Sequence, residues 1–186
     1  AYRHRAYLEA HIEQGPRLIT EGIDVGVVTG IVGLRRHLVR FRGRADHAGT
    51  TPMAMRRDAA FAMFDFAMSL AERLRAAGSA DSVWNFGIVT VRPGAANVVP
   101  AEADLTVEFR DSAADVLERM EAAFQAAVSA ANGRFNVAVS SVANGTLAPA
   151  AMDGDLINDL AEAAAQAGAS HIRMPSGAGH DAMILA

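Results

Sequence analysis

Val83-Trp84-Asn85-Phe86-Gly87-Ile88-Val89-Thr90-Val91-Arg92 runs into Pro93-Gly94, and the chain returns through Leu105-Thr106-Val107-Glu108-Phe109-Arg110. The first run is apolar and bounded by a turn-forming Pro-Gly; the second alternates Leu105, Val107 and Phe109 with Thr106, Glu108 and Arg110. Both are strand patterns, the second with one buried face, and neighbours of this kind pair antiparallel. Upstream, Val39 and Phe41 alternate with Arg40 and Arg42 as a first strand. Thr51-Pro52 then supplies an N-cap and a first-turn proline for a helix on which Phe61, Phe64, Met68, Ala71 and Leu74 recur at helical spacing, with Gly78 ending the run. Downstream, Ser112 with Asp115 has the form of a capping box for a second helix. Its stripe is Leu117, Met120, Phe124, Ala127 and Ala131, closed by Asn132-Gly133, and Phe135, Val137 and Val139 make a fourth strand.

The order strand, helix, strand, strand, helix, strand is the split βαβ arrangement. It predicts an α+β fold, βαββαβ, with a four-stranded antiparallel sheet and two helices on one face. The bare face either pairs with a second copy or is solvated by polar side chains. Outside this unit, Tyr7 to Gln14 alternates as a strand and Pro16 to Glu21 forms a helical turn. Leu156, Ile157, Leu160 and Ala164 mark a third helix closed by Gly168, and His171 to Met174 a short strand leading into Ser176-Gly177-Ala178-Gly179 and His180-Asp181. The flanks bracket the centre as one domain inserted into another: residues 34–145 form the insert, and 1–33 and 146–186 are remnants of an α/β domain. Starting at Ala1 and stopping at Leu185-Ala186, the sequence reads as cut at both ends.

With 186 residues, 51% of them hydrophobic, the chain can bury a core, so disorder is not the expectation. A net charge of -4 without a same-sign run argues against a nucleic-acid surface or a basic membrane patch. No apolar stretch approaches the roughly 20 residues a bilayer crossing needs, since Ala59 to Leu74 is broken by Asp65 and Glu72. There is no cysteine, which removes disulfide scaffolds and thiolate chemistry. Every Lys/Arg position is Arg and alanine is abundant, the usage of a GC-rich bacterial gene, and the expected compartment is the cytoplasm. Small molecules or proteins are the expected partners.

Histidine is the commonest metal ligand and the usual proton carrier near neutral pH. His11 shares a predicted strand face with Glu9 and Glu13, which suits a zinc ligand with oriented neighbours or a solvated edge strand. His180-Asp181 follows a glycine-rich turn at a helix start, where an imidazole can reach a metal, or where there is only an ordinary strand-to-helix turn. His47 lies in the loop between first strand and first helix, placed either to donate to a developing oxyanion or to cap the helix. His4, His37 and His171 read as surface or packing residues. Arg110, on the polar side of its strand, and Asn97, in a turn close by in sequence, can together hold a carboxylate, or be an exposed arginine and a turn amide. No nucleophile elbow or phosphate loop is present.

Several strings occur in one order across nearly the whole chain: His11-Ile12-Glu13-Gln14-Gly15-Pro16, Gly26-Val27-Val28-Thr29-Gly30-Ile31-Val32-Gly33, Asp46-His47-Ala48-Gly49-Thr50-Thr51-Pro52-Met53, Arg56-Arg57-Asp58, Asn97-Val98-Val99-Pro100 and Ser176-Gly177-Ala178-Gly179-His180-Asp181-Ala182. Jointly they resemble the hydantoinase/carbamoylase group of two-zinc amidohydrolases, which includes N-carbamoyl-L-amino-acid hydrolase, allantoate amidohydrolase and β-ureidopropionase. The resemblance implies a catalytic domain with two divalent metals (zinc, or manganese, cobalt or nickel) and an inserted lid forming a homodimer interface, matching the central unit. It implies that His11 and His180 are metal ligands, one to each ion, and that His47 polarises the scissile carbonyl, reaching into the partner's site. Asn97 and Arg110 would contact the carboxylate end of a ureido substrate, Gln14 would contact substrate, and Gly177 to Gly179 would line the carboxylate pocket. The implied reaction is hydrolysis of a ureido or carbamoyl C–N bond, with metals and His47 stabilising the oxyanion and a carboxylate moving the proton.

The family's upstream His-x-Asp and Glu-Glu pairs have no counterpart in this sequence. The expectation is therefore a lid with flanks that alone neither hydrolyses nor binds zinc tightly. Two other readings fit parts of the pattern: an aminoacylase or dipeptidase of the same zinc clan, against which the histidine at position 11 argues, and a non-catalytic dimerisation or small-ligand module.

Overall fold

The structure, a computed structural model, describes residues 5–185, so His4 lies outside the described residues. The elements in chain order begin with α1 (Arg17–Glu21), β1 (Val25–Ile31), β2 (Gly33–Arg42), β3 (Asp46–His47) and α2 (Ala59–Ala77). They continue with β4 (Val83–Arg92), β5 (Val98–Val99), β6 (Glu102–Asp111), α3 (Ala114–Ala131) and β7 (Ala138–Leu147). The last are β8 (Ala150–Ala151), α4 (Gly154–Gln166), β9 (His171–Ser176) and α5 (Ala182–Leu185). The chain divides into two compact units, one of residues 34–147 and one built from residues 1–33 and 148–186.

The central unit is the α+β fold expected from the alternation. Its sheet runs β4-β6-β2-β7, with β4 antiparallel to β6 and β2 antiparallel to β7. Along β6 the burial alternates at every residue: Ala103, Leu105, Val107, Phe109 and Asp111 point inward, and Glu102, Asp104, Thr106, Glu108 and Arg110 point outward. Both helices lie on the inward face, where Phe66, Leu70 and Leu74 of α2 and Leu117, Met120 and Phe124 of α3 close the core over Val39 and Phe41. His37 is buried there too, its ring stacked 4.1 Å from that of Phe124 and its Nε2 2.8 Å from Glu121. The opposite face carries the charged pairs Arg36–Glu108, Arg110–Glu108, Arg42–Asp104 and Arg92–Asp104.

Four local expectations are corrected. Helix α2 starts at Ala59, capped by Asp58, whose Oδ1 accepts from the amides of Ala60 and Phe61; Thr51-Pro52 instead precedes a short 3₁₀ turn at Met53–Met55. Its buried stripe is Ala59, Ala62, Met63, Phe66, Leu70 and Leu74, while Phe61, Phe64 and Met68 are exposed. Both sets have helical spacing, and the alanine-rich one wins because small residues let the helix settle closely onto the sheet. The α3 N-terminus takes no side-chain cap from Ser112, since Asp111 accepts from the Ala113 amide instead. Phe135 lies in a turn with φ +57°, packed edge-on against Phe61, and the last strand begins only at Ala138.

In the other unit, β1 pairs parallel with β9 and antiparallel with β8. Helix α4 is capped by Asp153 and buries Ala161 and Ala164. Residues 5–13 form no strand, correcting the reading of Tyr7 to Gln14. Alternation makes a strand only where a neighbour completes the ladder, and no described segment pairs with this one. Among the described residues no helix is long and apolar enough to cross a membrane.

Asp111 ties the α2–β4 and β6–α3 corners together, accepting from Ser79 Oγ at 2.7 Å, Ser82 Oγ at 2.5 Å and the Ala113 amide at 2.7 Å while only 1% exposed. Asp111→Ala leaves those donors unmet and is expected to destabilise the central unit by about 2 kcal/mol or more. Urea unfolding followed by the fluorescence of Trp84, the single tryptophan, measures the change.

Candidate functional site

Residues from opposite ends of the sequence meet in the split unit. Glu9, His11 and His180 each offer a donor atom, all within 4.8 Å of one another, and the His11 and His180 rings lie 4.4 Å apart. His180 follows the β9 turn, where Ser176 Oγ lies 2.6 Å from His180 Nε2 and 3.1 Å from the Ala178 carbonyl. When the hydroxyl donates to that carbonyl, Nε2–H must donate to the hydroxyl, and Nδ1 is left with a lone pair. That Nδ1 is buried and has no hydrogen-bond partner among the described residues. A carboxylate and two imidazoles, one of them with an orphaned buried nitrogen, are a donor set that fits a divalent cation.

Glu9, first read as a neighbour of His11, is thus one of the converging donors, and it also accepts from the Ala182 amide at 3.2 Å. Local desolvation, followed by the charges of Glu9 and Asp181, raises the Tyr7 hydroxyl above its ordinary pKa. Glu13 does a different job, capping α1 by accepting from the amides of Arg17 and Leu18 at 2.9 Å. Gln14 is exposed, with φ +56°, outside the donor cluster. Gly177 and Gly179 are exposed in the turn before His180, and a Cβ at either would meet nothing within 4 Å.

In the central unit the predicted residues fall at two poles. His47 on β3 pairs with Val98 on β5, and the Ala48 amide donates to the Asn97 carbonyl at 2.9 Å, so His47 and Asn97 are neighbours. They project beyond the Glu102 end of β6. Arg110 sits near the other end, about 26 Å from Glu102 at roughly 3.3 Å per residue. The structure therefore does not bring Asn97 and Arg110 together, although only a short stretch of sequence separates them.

At its own pole Arg110 pairs with Glu108 at 2.6 Å, and Arg36 of β2 grips the same carboxylate from the other side. The outer face here carries a depression of about 330 Å³ lined by Arg36, Asn85, Ile88, Thr106, Glu108 and Asn144. Arg36 is a candidate that sequence reasoning missed, because a strand arginine gives no sign of its cross-strand neighbours. Of the histidines set aside, His37 is a core residue and His171 is half-buried.

A sequence profile of the M20 peptidase dimerisation domain matches residues 29–136, more than half of the chain. The chain belongs to this family. The N-carbamoyl-L-amino-acid amidohydrolase of Paenarthrobacter aurescens is 38% identical over 184 residues, 98% of this chain and 44% of that protein. The allantoate amidohydrolase of Escherichia coli is 35% identical over 182 residues, again 98% of this chain and 44% of the relative. A solved structure of a hydantoinase/carbamoylase-family amidase from Burkholderia phymatum superposes with a TM-score of 0.90 at 43% identity, covering 94% of this chain and 44% of that one. The chain thus spans less than half the length of the curated relatives it matches.

In the M20 domain the outer sheet face holds a run of carboxylates below their ordinary range. Burial pushes Glu108 up, but hydrogen bonds and charge from Arg110 and Arg36 outweigh it; Asp104 is lowered against burial in the same way by Arg42 and Arg92. On the helix side, burial of Glu121 is outweighed by His37 and Gln125. A carboxylate with a lower pKa folded than unfolded adds stability above its unfolded value, near 4, and loses it as pH falls through the folded value. Unfolding of the M20 domain, read by Trp84, is expected to hold a steady midpoint from neutrality to about pH 5 and to weaken progressively below about pH 4.

Proposed function

We propose that this chain is part of a metal-dependent amidohydrolase that hydrolyses the ureido or carbamoyl C–N bond of N-carbamoyl-L-amino acids or allantoate. The convergence of Glu9, His11 and His180 around the unpartnered His180 Nδ1 is the observation that carries the reading. His11 and His180 would each reach one of two divalent ions, with Glu9 beside them. Bound there, such ions supply Lewis acidity toward a carbonyl and its attacking water. The chain's own contribution is to bind, orient and stabilise charge. The His47 ring donates a hydrogen bond to the oxyanion that develops on the scissile carbonyl. Asn97 contributes an amide beside it, and Arg110 would contact the substrate carboxylate. Gln14, Gly177 and Gly179 would line the substrate's path near the metal ligands.

The separation of the two poles gives this reading a quaternary consequence. A molecule the size of a carbamoyl amino acid cannot touch Asn97 and Arg110 of one chain when β6 alone separates Glu102 from Arg110 by about 26 Å. One M20 domain must therefore give its His47–Asn97 pole, and another its arginine pole, to each substrate, which calls for a two-fold homodimer through this domain. Exposed Phe64 and Met68 on α2, with Val83, Ile88 and Val89 on the edge strand β4, offer apolar surface and free ladder groups for such pairing.

With one three-donor cluster among the described residues, the 186-residue chain alone is proposed to bind zinc weakly and to be inactive. Two tight zinc ions per chain in a calorimetric titration would contradict that. On the complete open reading frame, the reading expects turnover of N-carbamoyl amino acids or allantoate, and preferential turnover of dipeptides would move it to the peptidase branch. His47→Ala and Arg110→Ala are each expected to be inactive there. Co-refolding the two variants should recover about a quarter of wild-type activity, since half the dimers are mixed and each has one intact site. No recovery would place both residues at one chain's site.

A further inference from the structure

The loop that carries His47 is tied in a way that fixes the ring itself. The Gly49 amide donates to His47 Nδ1 at 3.0 Å, and the Thr50 and Thr51 amides both donate to the His47 carbonyl, at 3.3 and 3.1 Å. An amide nitrogen can only donate, so Nδ1 presents its lone pair and the neutral ring carries its hydrogen on Nε2. That is the tautomer able to donate to an oxyanion. The turn is closed from outside by one half-buried side chain: Arg56 donates from Nε to the Thr51 carbonyl at 3.0 Å and from Nη2 to the Ala48 carbonyl at 2.5 Å. Ala48 is in turn fixed to Asn97, so the same guanidinium steadies both members of this pole.

We propose that Arg56 is a positioning residue for His47, drawing two carbonyls of the turn onto one planar fork so that the Gly49 amide stays against Nδ1 and Nε2–H is held ready to donate. A lysine cannot replace it, because a single ammonium lacks the rigid pair of donors that spans Ala48 and Thr51. Gly49 completes the arrangement: a Cβ there would come within 3.2 Å of His47 Cε1, so only a hydrogen leaves the ring undisturbed. The proposal rests on the proposed role of His47 for its catalytic meaning, but the geometry can be tested without substrate or metal.

The test is NMR on the 186-residue chain with ¹⁵N-labelled histidine, together with amide hydrogen exchange. The wild type is expected to show a hydrogen-bonded Nδ1 on His47, a protonated Nε2 and a protected Gly49 amide. In Arg56→Gln and Arg56→Lys alike, exchange at Gly49 should quicken at least tenfold and the Nδ1 resonance should move to its non-bonded position. Amides along β6 and the Trp84-monitored unfolding midpoint should stay where they are. Gly49→Ala, which keeps Arg56, should displace the ring resonance without loosening the Ala48 and Thr51 region. Unchanged Gly49 protection in both Arg56 variants overturns the proposal. So does loss that spreads equally to β6, or a failure of both variants to fold, because Arg56 would then be a general structural tie. In the complete enzyme Arg56→Gln is expected to lower kcat with KM unchanged. Full activity of His47→Ala there would remove the catalytic meaning of the turn while leaving its NMR signature intact, so the two failures are distinguishable.

Discussion

Strand β6 lies between β4 and β2 and must satisfy two environments at once. Each inward residue packs under α2 and α3, and each outward residue sits on a face with no helix over it. A slip of one residue would carry Glu102, Asp104, Glu108 and Arg110 into a core of Phe41, Phe66 and Phe124, at a cost of several kcal/mol for each buried, unpaired charge. Register is therefore pinned, and the outward side chains acquire fixed neighbours. Glu108 is held between Arg110 and Arg36, and Asp104 between Arg42 and Arg92. Such pairs near the surface add little stability singly, but in series they set the charge pattern of the outer sheet face.

The same strand separates the two groups of functional candidates. Because β6 is fully extended, whatever enters before Glu102 and whatever leaves near Arg110 are held far apart by a rigid spacer. The loop with His47 is fastened at the first end through the β3–β5 pairing and the Arg44–Asp46 ion pair, and Asp58 then starts α2 immediately behind it. His47 is thus exposed on a short, many-times-tied loop rather than on a mobile one, which lets an exposed imidazole keep one orientation.

Much of the central unit was legible in the sequence because two-residue alternation has one structural meaning in a half-buried sheet. Leu105, Val107 and Phe109 could face only one way, and the α3 stripe from Leu117 to Ala127 matched a single helix face. Helix α2 defeated the same reasoning. Its sequence supports two apolar stripes, and periodicity does not say which will be buried when alanines make the closer fit. The separation of Asn97 and Arg110 within one chain was not legible for a related reason, since closeness in sequence becomes distance along an extended strand. Cross-strand partners such as Arg36 with Glu108 depend on register, and the fold alone supplies it.

The donor cluster shows a different limit. His11 and His180 were singled out from motif strings, yet nothing in either local pattern indicates that they meet. Glu9 and His11 lie on backbone outside any ladder, held by the Ala182 amide on Glu9 and by His11 Nδ1 against the neighbouring Ile12 carbonyl. Contacts of that kind contribute about 1 kcal/mol each, comparable with the backbone entropy of ordering one residue. The segment around His11 is tied by these few bonds, whereas His180 is anchored through Ser176 on β9. A cation binding across them would gain its ligands and order the weaker segment in one event, so affinity at this cluster and local stability of residues 5–13 are linked quantities.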